Sequence, residues 1–89
     1  MKREMLFSKA VEKSKEALEK APFMFPLESV IRQLNYLIEV EKGIAPKGQL
    51  STINIGQIAA RDIDEFDEDL ADLLHEVSAE VDELVKELI

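Results

Sequence analysis

The chain has 89 residues, no cysteine, no tryptophan, one histidine and a formal net charge of −8. A chain this short buries only roughly 60–65% of the surface its unfolded form exposes, which disfavours a large enzyme cleft and makes stability depend on well-packed helices. Without cysteine there is no disulfide, no thiolate zinc site and no thiol nucleophile, and the acidic balance repels nucleic acid and anionic membranes while speeding encounter with a basic protein.

Residues 1–30 hold no long apolar run behind the basic start, so neither a signal peptide nor a membrane span is expected, and the expected location is the cytoplasm. From the N-terminus, Phe7, Ala10, Val11, Ser14, Ala17, Leu18 and Ala21 recur at the three-four spacing of one helix face, with Lys and Glu on the other side. Pro22 ends that helix, because it lacks the amide donor and bars helical angles in the residue before it. The connector Pro-Phe-Met-Phe-Pro, residues 22–26, reads as a packed turn. A second helix starts at Pro26, a residue suited to a first helical position. Its buried stripe is Leu27, Val30, Ile31, Leu34, Leu37 and Ile38, with Gln33, Tyr36 and Val40 as a second ridge, and Gly43 is placed to end it.

Residues 43–49, with two glycines and one proline, carry the one real loop signal. After it, Ile53 and Ile55 alternate as in a strand, but no second strand signal exists for them to pair with, and a lone strand leaves backbone groups unpaired. Residues 52 to about 63 therefore read as a helix with Ser51 as N-cap and Ile55, Ile58, Ala59 and Ile63 turned inward. Gly56 inside it costs about 1 kcal/mol against alanine, for which close approach of a neighbouring helix or a functional demand is the reason. The last helix has the clearest period: Phe66, Leu70, Leu73, Leu74, Val77, Val81, Leu84, Val85 and Leu88. Asp67 is its natural N-cap, and Glu68 and Asp69 suit its dipole. The expected fold is all-α: one domain over residues 1–89, a small antiparallel bundle of about four helices.

The acidity is concentrated. Residues 62–89 hold twelve acids and one base, and six of those acids fall between Asp62 and Asp69. A calcium loop would need a third oxygen ligand where Phe66 stands and a glycine that is missing. His75 follows Asp72 by three residues, as in di-iron Glu-x-x-His pairs, yet such sites need a second histidine. Glu16 and Glu19, with Asp69 and Asp72, imitate the carboxylate pairs of all-α magnesium-dependent nucleoside triphosphate pyrophosphohydrolases, though about fifty residues apart and with lysines around Glu16. No glycine-rich phosphate loop or serine-histidine pair is present, and scattered bases argue against nucleic acid. No catalytic residue, cofactor or metal ligand is expected, which leaves protein recognition.

Two stretches carry a resemblance. Gln33-Leu34-Asn35-Tyr36-Leu37, followed by Ile53, Ile55, Gly56, Ile58, Ala59, Asp62, Asp64, Asp67 and Leu70, is similar to the pattern of the small helical immunity proteins that protect bacteria against type VI secreted NAD(P)+ glycohydrolase toxins. It covers roughly residues 27–74. Ile63 stands where that family often has phenylalanine, and Glu68 where proline commonly follows the aspartate. The resemblance implies an inhibitor, not an enzyme, which binds a cognate secreted toxin domain and occludes its active site. A helical adaptor or dimerisation module and the pyrophosphohydrolase are the alternatives, and a homo-oligomer is possible without being implied. The candidate toxin-binding residues are Asp62, Asp64, Glu65, Asp67 and Glu68, with Gln33, Tyr36 and Glu39 on the second helix. Against contact stand a half-buried core role for Tyr36 and helix capping by Asp64 and Asp67.

Overall fold

The computed structural model describes residues 2–88. Its helices are α1 (Lys2–Lys20), α2 (Pro26–Glu41), α3 (Ile55–Ile58) and α4 (Glu68–Glu87), so the all-α bundle expected from the sequence is what forms. The three long helices enclose the core. Phe7, Ala10 and Ala17 of α1 meet Leu27, Val30, Leu34 and Leu37 of α2 and Leu70, Leu74, Val77, Val81 and Leu84 of α4. Each of these side chains follows the three-four period read from the sequence. Val40 is buried and Ile31 and Ile38 are only partly so, which turns the stripe of α2 slightly from the expected one.

Each chain reversal has a local cause. The turn after α1 is closed by the amides of Met24 and Phe25, which donate to Ala21 O at 2.9 Å and Phe23 O at 3.0 Å. Met24 points toward the core, whereas Phe23 and Phe25 are 69% and 70% exposed, so the connector is a turn without packed aromatics. Alternate residues of a tight reversal splay to opposite sides, and only the middle one can face inward. At the end of α2 Gly43 adopts φ +76, a left-handed conformation open to glycine. There the Gly43 amide donates to Val40 O (3.0 Å) and the Ile44 amide to Glu39 O (2.8 Å), the pair of bonds that defines a Schellman cap.

Between α2 and α4 the chain departs from a simple helix. Residues 47–52 form a 3₁₀ turn, Ile53 is extended, and α3 starts at Ile55 with Asn54, not Ser51, at its N-cap position. α3 then widens into a π-turn over residues 59–63, in which the Asp64 amide donates to Ala59 O at 2.9 Å. The extra residue per turn lets Ile55, Ile58, Ala59 and Ile63 all reach the core, as expected, while aiming the chain at the start of α4. Gly56 lies against α4, where an added Cβ would stand 2.5 Å from Ser78 Oγ. Close helix approach is thus its structural role.

Arg3 fixes the direction of α1 against α4. Its Nε donates to Glu80 at 2.8 Å and an Nη to Glu87 at 3.0 Å, which raises the pKa of the guanidinium and joins the start of α1 to the end of α4. The two helices are therefore antiparallel. The α1–α2 turn and the turn into α4 share the opposite end.

Candidate functional site

The residues singled out in the sequence fall into two groups. Gln33, Tyr36 and Glu39 lie three apart along α2, on the face that carries the following loop. Gln33 makes a paired amide contact with Asn54: its Nε2 donates to Asn54 Oδ1 (2.7 Å) and its Oε1 accepts from the Asn54 amide (2.9 Å). A further bond from Nε2 to Ser29 Oγ (3.0 Å) sets its rotamer. Tyr36 Oη donates to Pro46 O (2.6 Å) and accepts from the Gln49 amide (3.2 Å), pinning the 3₁₀ turn to α2. The unusual glutamine and tyrosine of this stretch thus hold residues 46–54 in place and set where α3 begins. Glu39 offers its carbonyl to the cap of α2 and leaves its carboxylate in water.

The second group is the acid segment. Asp62 is gripped by its neighbour Arg61, Nε at 3.0 Å and Nη at 2.9 Å, so its charge is compensated locally. Asp64 faces His75 across the turn, Oδ1 to Nε2 at 3.6 Å. His75 therefore sits beside Asp64 as well as following Asp72, and Asp64 does not cap α4. Asp67 does: its Oδ1 accepts from the Leu70 amide at 3.1 Å, with backbone angles outside the helical region. Glu65 and Glu68 are exposed and make no ion pair among the described residues. No hydrogen bond or ion pair between described residues joins this segment to Gln33, Tyr36 or Glu39.

An open groove of about 510 Å³ runs between α1 and α4 from Phe66 along the acids. Glu16, Asp69 and Asp72 do line it together, but so do Lys9, Lys13 and Lys20, and Lys13 pairs with Glu16 at 3.8 Å. Among the described residues, no three carboxylate or imidazole groups converge as a metal cage. Nor is any helix among them long and apolar enough to cross a membrane.

What the sequence concealed is the aromatic end. Phe66 belongs to the turn before α4 and is 36% exposed, and Phe23 and Phe25 project from the other turn at this end. Full burial of a phenylalanine is worth roughly 1.5–3 kcal/mol, so leaving these rings in water gives up stability. The period of nonpolar residues could not show this, since it counts a turn phenylalanine as core. Asn54 was also missed: an asparagine just before an apolar helix start is a cap signal, although its side chain here serves Gln33 instead.

The fold and this surface define a small all-α bundle whose distinctive groups are displayed at one end rather than enclosed in a pocket. The model of the Tsi6 family matches residues 3–83, nearly the whole chain, and the protein belongs to that family of type VI secretion immunity proteins. Membership implies a cognate toxin protein as its binding partner. No curated protein and no solved structure matched the chain.

Proposed function

We propose that this protein protects the cytoplasm of its own cell by binding a cognate type VI secreted NAD(P)+ glycohydrolase toxin and occluding its active site. The observation that carries this is the family match over residues 3–83. The geometry supplies a physical reason. A site that holds the pyrophosphate of NAD(P)+ presents cationic and amide donors, and carboxylates placed on a folded scaffold complement such donors. The acid segment offers Asp64, Glu65, Glu68 and Asp69 in that way, on a helix start fixed by the Asp67 cap. Opposite charge speeds encounter, and well-fitted contacts slow release.

The test uses the cognate toxin domain. A mixture should elute as a one-to-one complex, and NAD+ hydrolysis should cease with one equivalent of inhibitor. Separate elution with continued hydrolysis would refute the proposal.

A further inference from the structure

Of the four phenylalanines only Phe7 is buried; at one end of the bundle Phe23 and Phe25 project into water and Phe66 exposes about a third of its surface (36%). The geometry points to Phe23, Phe25 and Phe66 as the apolar anchors with which this end docks onto a basic face of the toxin. This assignment rests on the immunity function proposed above and names the surface that performs it.

Placement at one end follows from the antiparallel packing of α1 and α4, since Lys20 at the end of α1 lines the same groove as Phe66. Both turns are internally bonded: Phe25 N to Phe23 O at 3.0 Å, and Phe66 N and Asp67 N to Ile63 O at 2.9 and 2.8 Å. Rings on such turns are displayed with little backbone freedom left to lose on docking. Beside Phe66 lie Asp64, Glu65, Asp67, Glu68 and Asp69, with Glu16, Asp72 and Glu76 further along the groove, against Lys9, Lys13, Lys20 and Arg61, so acids outnumber bases. Aromatic anchors within a charged rim have the anatomy of a protein interface, and the sign of this rim selects a basic partner. The same rim opposes a second copy of this chain, whose acids would meet its own. The other end differs: Met5, Ile44 and Leu88 are exposed there too, but among Arg3, Glu4, Lys42, Lys86 and Glu87, a rim of mixed sign.

The experiment measures association and dissociation rates on immobilised toxin domain for the wild type, Phe23→Ala/Phe25→Ala, the triple variant adding Phe66→Ala, and the control Met5→Ala/Ile44→Ala. The double variant removes only exposed rings and should keep the wild-type melting curve, which guards against misfolding of the triple. Dissociation should quicken roughly tenfold in the double and roughly a hundredfold in the triple variant, with association and its salt dependence unchanged. The control should dissociate as the wild type does. Wild-type dissociation from both phenylalanine variants, or equal loss in the control, overturns the anchors and leaves the immunity function standing. A wild type that does not bind the toxin overturns both. A wild-type dimer in sedimentation equilibrium that the double variant breaks, with toxin binding intact, also overturns the anchors.

Discussion

Replacing Gly56 with alanine sets two effects of opposite sign against each other. Gly43 is the only described glycine with positive φ, so the backbone at Gly56 accepts alanine, and propensity with unfolded-state entropy alone would stabilise the protein by about 0.4–1 kcal/mol. The new Cβ would stand 2.5 Å from Ser78 Oγ and 3.0 Å from Ser78 Cβ. The hydroxyl can rotate aside. The Ser78 Cβ is fixed to α4, so α3 must retreat from it, at the loss of about 1–3 kcal/mol typical of overpacking. At the middle of both ranges the balance is a net loss of about 1.3 kcal/mol, which for a domain of this size lowers the melting temperature by roughly 5–10 °C. Thermal melts followed by far-UV circular dichroism on Gly56→Ala, Ser78→Gly and the double variant would read it. Ser78→Gly removes the obstructing atoms, so the double variant should be more stable than the singles sum to, by at least about 0.5 kcal/mol. A Gly56→Ala protein that melts at or above the wild type would refute the close-approach account.

The other residues give sharper contrasts than stability alone. Tyr36→Phe removes the bonds to Pro46 O and the Gln49 amide, and should lower stability by about 1 kcal/mol while speeding hydrogen exchange at Gln49; unchanged exchange there would mean the hydroxyl does not hold the loop. Asp67→Ala should lose about 1 kcal/mol of helix capping, whereas Asp67→Asn, an equally good cap, should stay within a few tenths; equal losses would show that charge, not capping, matters. Reversing Asp62, Asp64 and Glu65 to lysine should slow association with the toxin roughly tenfold and flatten its salt dependence, with little change in melting; wild-type association rates would return these acids to the solvent.

How far the sequence could be read depended on whether the deciding contact was local. The long helices, the Asp67 cap and the Gly43 terminus were legible because periodicity, capping and left-handed backbone are fixed within a turn or two. Gly56 was legible for the opposite reason: a glycine beside inward aliphatics has few uses other than close approach. The segment from Ser51 to Ile63 was only half legible. Its inward residues came out right, but its start at Asn54 depends on a clamp from Gln33, twenty-one residues earlier, and its π-turn on how far α3 must travel to reach α4. Gln33 and Tyr36 stood out as unusual, yet their partners are backbone and amide groups of a loop whose path no spacing reveals. The exposed phenylalanines were illegible because a ring in a turn is buried or displayed according to the tertiary packing around it.

The claim that this bundle works by blocking a toxin is tested most directly by titrating it into the NAD+ hydrolysis proposed for its cognate toxin, with complex formation followed in the same samples. The account predicts that activity falls linearly with bound inhibitor and reaches background at one equivalent. A stoichiometric complex that still hydrolyses NAD+ at the free toxin's rate would contradict it.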